Sequence, residues 1–267
     1  MDKFPVLIPV LALVHALTGT AATISGQSIV PGKSMELRLP VPKSSADYAA
    51  QGGNPRPTAA RAVWIFPTNF DPARRWPILI VTSTMEGHRS SLEDLPFYSG
   101  ATMHEGWIVL ATDADVRPRN DTEAWRLSML GVALDALHRE WPHSVEWPVA
   151  FAGLSGGAKR AGFVAAMLAS MNSLRICGFF LCGINDDRIS VAYRQFRPPP
   201  GFLDIPIWIS SGLTDPIAPP LAQLRVESSL KLTGFKRVRL ETFDGRHQVK
   251  MAEVQRALHW FREQGNF

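Results

Sequence analysis

Two kinds of apolar pattern take turns along the chain. Short apolar runs bounded by turn residues recur at 61–66 (RAVWIF), 77–81 (PILIV), 107–111, 148–152, 176–182, 205–210 and 237–243. These runs predict strands, and the one at 77–81, apolar throughout, predicts a strand covered on both faces. Between them lie longer segments, at 91–103, 122–141, 157–171, 221–233 and 249–264, whose apolar residues recur at helical spacing. The longest carries Trp125, Met129, Val132, Ala133, Ala136 and Leu137 on one stripe. Strand and helix in this order require crossover connections, which predicts an α/β fold with a mostly parallel central sheet and helices on both faces. Residues 23–59 are rich in Ser, Pro, Gly and Ala and hold one alternating strand, 34–41; they read as an N-terminal arm that adds an edge strand to the main domain, 60–267. We find no internal repeat and no linker that would set off a further domain.

The first 22 residues follow another logic. Met1-Asp2-Lys3 precedes an apolar run over 4–17 and then Thr18-Gly19-Thr20-Ala21-Ala22, the order of parts in a secretory signal peptide, with cleavage after Ala21 or Ala22. The run is shorter than the ~20 apolar residues of a membrane span and contains Pro5, Pro9 and His15. A secreted or periplasmic protein with no stable membrane anchor after cleavage is therefore expected. The 28 basic residues exceed the 24 acidic ones, but they are scattered, with no run longer than Arg74-Arg75 or Lys159-Arg160, so a nucleic-acid partner is not expected. The two cysteines, Cys177 and Cys182, share one predicted strand at odd spacing, which sends them to opposite faces as free buried thiols. Of the eight tryptophans, Trp64, Trp107, Trp125, Trp208 and Trp260 fall in predicted strands or on helix faces and read as core.

The chemistry concentrates after the strand at 148–152. Gly153-Leu154-Ser155-Gly156-Gly157 is a G-x-S-x-G sequence between that strand and the next helix, the setting of a nucleophile elbow. A turn this sharp leaves no room for Cβ atoms beside the serine, which explains Gly153 and Gly157. The alternative of a phosphate-binding loop fails, because Lys159 is not followed by Ser or Thr.

A serine hydroxyl needs a base, and the base an orienting acid. Both follow Ser155 in chain order. Asp215 lies in the loop after the strand at 205–210, and His247 in Asp244-Gly245-Arg246-His247, between the last strand and the last helix. His138 and His259 lie inside helices, His143 at the far end of the long helix, and His88 and His104 at most on the rim. Asp186 and Asp187, after the strand at 176–182, are rivals to Asp215, which is favoured for its nearness to His247 and its turn before Pro216. Asp113, Asp115 and Asp244 read as turn or cap residues. No cluster with metal-ligand spacing is present in the sequence, and no cofactor is expected.

GLSGGAKRAG after a strand, PIWISSGLTDPIAPP, and FDGRH before a terminal helix resemble the α/β-hydrolase superfamily; together with VWIFPTNFDPARRWPILIV they are similar to secreted esterases of the polyhydroxybutyrate depolymerase and feruloyl esterase type. The resemblance covers about residues 60–265. It implies the α/β-hydrolase fold and a serine carboxylic-ester hydrolase acting through an acyl-enzyme, with Ser155 as nucleophile, His247 as base and Asp215 as its orienter. Its substrate would be a small-molecule or polymer-linked ester. A serine peptidase of the same fold and an inactive hydrolase-fold binding protein are the alternatives. One departure stands out: where these esterases carry His-Gly after the third strand, this chain has Thr82-Ser83-Thr84-Met85-Glu86-Gly87. The oxyanion hole would then use the N–H of Gly156 with one from Thr84 or Met85. About twenty residues separate Cys182 from Ile205, too few for a sizeable lid domain.

Overall fold

The computed structural model describes residues 22–84 and 89–267. All of the expected leader except Ala22 lies outside the described residues, as do Met85 and His88.

The chain opens with a hairpin of β1 (Thr23–Ile24) and β2 (Gln27–Ser28), then β3 (Ser34–Pro40), α1 (Lys43–Ala49), β4 (Ala59–Ile65) and β5 (Ile78–Thr82). It continues through α2 (Ser91–Asp94), α3 (Pro96–Glu105), β6 (Ile108–Ala114), α4 (Glu123–Glu140), β7 (Pro148–Leu154) and α5 (Gly156–Ser170). The last third runs β8 (Arg175–Cys182), α6 (Arg188–Phe196), β9 (Ile207–Gly212), α7 (Pro220–Thr233), β10 (Val238–Phe243) and α8 (Met251–Gly265). Eight strands form one sheet in the order β10-β9-β8-β7-β5-β6-β4-β3. β4 is antiparallel to both neighbours, whereas β6, β5, β7, β8, β9 and β10 are mutually parallel. Their carboxyl ends therefore point the same way, and the loops that follow β5, β7, β8, β9 and β10 share one edge.

The two faces of the sheet follow from the period of two in each strand. In β5, Ile78 and Ile80 pack toward α4, α5, α6 and α7, while Leu79 and Val81 pack toward α3 and α8. Trp64, Trp107, Trp125, Trp147 and Trp208 are fully buried, and Trp260 is partly buried against the second core. No helix among the described residues is long and apolar enough to cross a membrane.

Three expectations change. The helix read across 91–103 is two helices, because Pro96 lacks an N–H and begins a new one; α3 then ends at Gly106 in the left-handed conformation. The arm contains α1, with Ala46 and Ala49 buried, where only a strand was read. The cysteines share a face. The β7–β8 register shifts between Val149 and Ala150, which pair with Ile176 and Gly178, so Cys177 is an extra, bulged residue. The bulge cancels the odd spacing and puts Cys177 beside the α3/α8 core with Cys182, both as free thiols.

Candidate active site

Ser155 connects β7 to α5 at φ 57 and ψ −120, a strained conformation for a residue with a Cβ. It is held there from several sides. Its N–H donates to Cys182 O at 2.8 Å, and its carbonyl accepts from Lys159 N at 3.2 Å. The glycines on either side do what the motif requires of them: a Cβ on Gly153 would lie 2.2 Å from the Gly157 carbonyl carbon, and one on Gly157 would lie 2.4 Å from Thr82 O. The Thr82 hydroxyl, 2.8 Å from Gly157 O and 3.0 Å from Ala152 O, ties strand, elbow and helix together.

Asp215 follows β9 in a tight loop and is 4% exposed. Its Oδ1 accepts from Ile217 N and Ala218 N, each at 2.8 Å. Its Oδ2 lies 2.7 Å from His247 Nδ1. The carboxylate is thus aimed by two backbone donors, and it in turn aims the imidazole. The loop that carries His247 is clamped to the β9 loop, since Leu213 N donates to Phe243 O and both the N–H and the hydroxyl of Thr214 donate to Gly245 O, all at 3.0 Å. The Cys182 thiol donates to Gln248 O at 3.1 Å on the other side. His247 Nε2 has no hydrogen-bond partner among the described residues, and His247 lines the same cleft as Ser155, a space of about 440 Å³.

No protein-family model and no curated protein sequence matches the chain. Solved structures do. An esterase of Pyrococcus furiosus is similar with a TM-score of 0.53 and 15% identity over 87% of this chain and 90% of that one. An esterase of Pyrobaculum calidifontis reaches 0.58 with 13% identity over 88% and 86%, and a carboxylesterase of Bacillus cereus 0.50 with 18% identity over 83% and 100%. The chain has the α/β-hydrolase fold.

Within the α/β-hydrolase frame, the rival acids are employed elsewhere. Asp187 caps α6, with Oδ1 accepting from Ser190 N at 2.9 Å and Oδ2 from Ser229 Oγ at 2.6 Å. Asp186 is exposed, and Asp115 accepts from the backbone and hydroxyl of Thr58. Among the described residues no other histidine lines the cleft: His138 meets the Ser144 hydroxyl, His143 the Pro72 carbonyl, and His104 Glu105. Neither cysteine competes as a nucleophile. Burial pushes the Cys177 thiol far up and the Cys182 thiol up to about 12, so both stay protonated at neutral pH.

Of the residues proposed for an oxyanion hole, Gly156 opens α5 and Thr84 follows β5. They approach closely, for a Cβ on Gly156 would fall 2.4 Å from Thr84 Oγ1; Met85 lies outside the described residues. The ends of this segment are tied down: Arg89 O accepts from Ser83 Oγ at 2.7 Å and from Arg126 Nη2 at 2.9 Å. Arg126 in turn holds Asp121 with two hydrogen bonds, and Arg160 of α5 donates to the same carboxylate at 2.8 Å. Burial acts to raise the Asp121 carboxyl, but the hydrogen bond and charge of Arg126, with Arg160, outweigh it and hold that carboxyl below the ordinary range.

Sequence reasoning did not find this network or the cleft walls, Phe97, Ile217 and Val249. Nor did it find Gly183, at φ 56, where a Cβ would lie 2.7 Å from His247 Cε1 and 3.4 Å from Asp215 Oδ2. Among the described residues no group of three or more His, Cys, Asp and Glu side chains could hold a metal ion.

Proposed function

We propose that this protein is a serine hydrolase of carboxylic esters that acts through an acyl-enzyme and is exported from the cytoplasm. The observation that carries the reading is the 2.7 Å contact of Asp215 with His247 Nδ1 in the cleft that also holds Ser155. With Nδ1 committed to the carboxylate, Nε2 is the nitrogen that takes the serine proton as the hydroxyl attacks the acyl carbon. The carbonyl oxygen becomes an oxyanion against the Gly156 N–H and a second donor from Thr84 or Met85. His247 then protonates the departing alcohol, and a water activated by the same imidazole releases the acid. The names of the similar structures, esterase and carboxylesterase, favour an ester over a peptide. The motif likeness to secreted polyhydroxybutyrate depolymerases and feruloyl esterases extends the substrate from small esters to polymer-linked ones. Export rests on the apolar run and small residues of the first 22 positions, and the amino-terminal sequence of the secreted protein tests it.

Steady-state hydrolysis of p-nitrophenyl esters and p-nitroanilides, with Ser155→Ala alongside, tests the reaction itself. Ester turnover that disappears in the variant is the expected result. Anilide turnover of comparable kcat/KM would make the protein a peptidase, and ester turnover that survives Ser155→Ala would remove the mechanism.

A further inference from the structure

We infer that the site takes esters whose acyl part is an uncharged, hydroxylated group and whose alcohol part is apolar, an assignment that rests on the ester-hydrolase reading above. Two clefts meet at Thr84, on either side of the elbow. The first contains Ser155 and His247 and is walled by Phe97, Leu154, Ile217 and Val249. Its charged pair, Arg89 and Asp94, is satisfied internally. Because His247 must deliver a proton to the leaving oxygen, the alcohol lies on the His247 side, against these apolar walls.

The acyl part then leaves Ser155 on the opposite side, past Gly156, where the second cleft of about 350 Å³ opens. Apart from Phe163, whose ring is covered by the Arg188 guanidinium, its side chains are polar or charged. Lys159 stands one turn after Ser155 on α5 and lines this cleft. Arg188, Glu123 and Asp186 complete the rim, and none of these four side chains closes an ion pair or a hydrogen bond among the described residues. Behind them Arg160 is 3% exposed and leaves a buried Nε without a partner among the described residues. An alkyl chain would strand all of these groups. A carboxylate would meet Glu123 and Asp186, and an ammonium would meet Lys159 and Arg188. A neutral hydroxyl both donates and accepts, so it satisfies either sign.

Two constitutional isomers separate the orientations: hexyl 2,3-dihydroxypropanoate, polar on the acyl side, and glyceryl hexanoate, polar on the alcohol side. In a pH-stat, kcat/KM for the first should exceed that for the second by about tenfold, the worth of a hydrogen bond to a charged group. Lys159→Met should lower the first several-fold and leave the second no slower, since a hexanoyl chain no longer strands the ammonium. Equal values, a preference for glyceryl hexanoate, or a variant that slows both alike overturns the assignment. Turnover of p-nitrophenyl acetate that depends on Ser155 shows in each of those cases that the ester-hydrolase reading survives; its absence, with neither isomer cleaved, removes both.

Discussion

Gly183→Ala puts a methyl group against the imidazole of His247. The added carbon would lie 2.7 Å from His247 Cε1 and 2.9 Å from Nδ1. Carbon atoms rest at about 3.5 to 4.0 Å, so the ring must move by about 1 Å, and Asp215 is fixed by two backbone donors and does not follow. A misplacement of about 1 Å costs on the order of 10²-fold in rate, and that loss should appear in kcat with KM little changed. The substitution also places an alanine at φ 56, which costs about 1 to 2 kcal/mol and lowers Tm by roughly 2 to 8 °C for a chain of this size. Gly53 separates the two effects. It has φ 84 and nothing within 4 Å of its would-be Cβ, so Gly53→Ala carries the backbone cost without the displacement. Differential scanning calorimetry should show similar Tm losses, while p-nitrophenyl ester kinetics should show a large defect only in Gly183→Ala. If both variants kept wild-type kcat, the imidazole would not be held by Gly183 and the reasoning would fail.

The acid and the buried network supply further tests. Asp215→Asn should reduce kcat by something like 10⁴-fold through loss of tautomer control, whereas Asp187→Asn should keep turnover and cost at most about 1 kcal/mol as a weakened α6 cap; the reverse ranking in ester kinetics would move the acid to the β8 loop. The depressed Asp121 carboxyl contributes stability that is present above its unfolded value of about 3.9 and is lost as pH falls through its lower folded value. Thermal melts should therefore show Tm dropping below about pH 4, and Asp121→Asn should flatten that drop while lowering stability at pH 7 by about 3 kcal/mol. An undiminished acid-side slope in the variant would assign the acid sensitivity to other carboxylates.

What the sequence disclosed and what it hid divide along physical lines. The alternation of buried strands with amphipathic helices is local, and so is the elbow, where steric exclusion forces glycine at 153 and 157. Ser155, Asp215 and His247 could be proposed because each follows a strand whose carboxyl end the α/β pattern brings to one edge. The structure brings Asp215 to His247 and sends Asp187 to a helix cap, a choice that depends on how the β9 and β10 loops clamp each other. Helix α1 is seven residues long with Ser and Asp in its interior, and α6 is nine residues long, too short for a clear 3.6-residue period. The bulge at Cys177 leaves no mark in composition, because it arises from register against β7. The Arg126-Asp121-Arg160 cluster, the anchor at Arg89 and the contact of Gly183 with the imidazole are made between distant segments, which no local pattern encodes.

The central claim is that Ser155 is a nucleophile activated by His247. Incubation with a fluorophosphonate probe followed by peptide mass mapping tests it directly, since only an activated serine is phosphonylated at an appreciable rate. We predict a single adduct on the peptide that contains Ser155, absent from Ser155→Ala and strongly slowed in His247→Ala. An unlabelled native protein, or an adduct on another residue, would contradict the account.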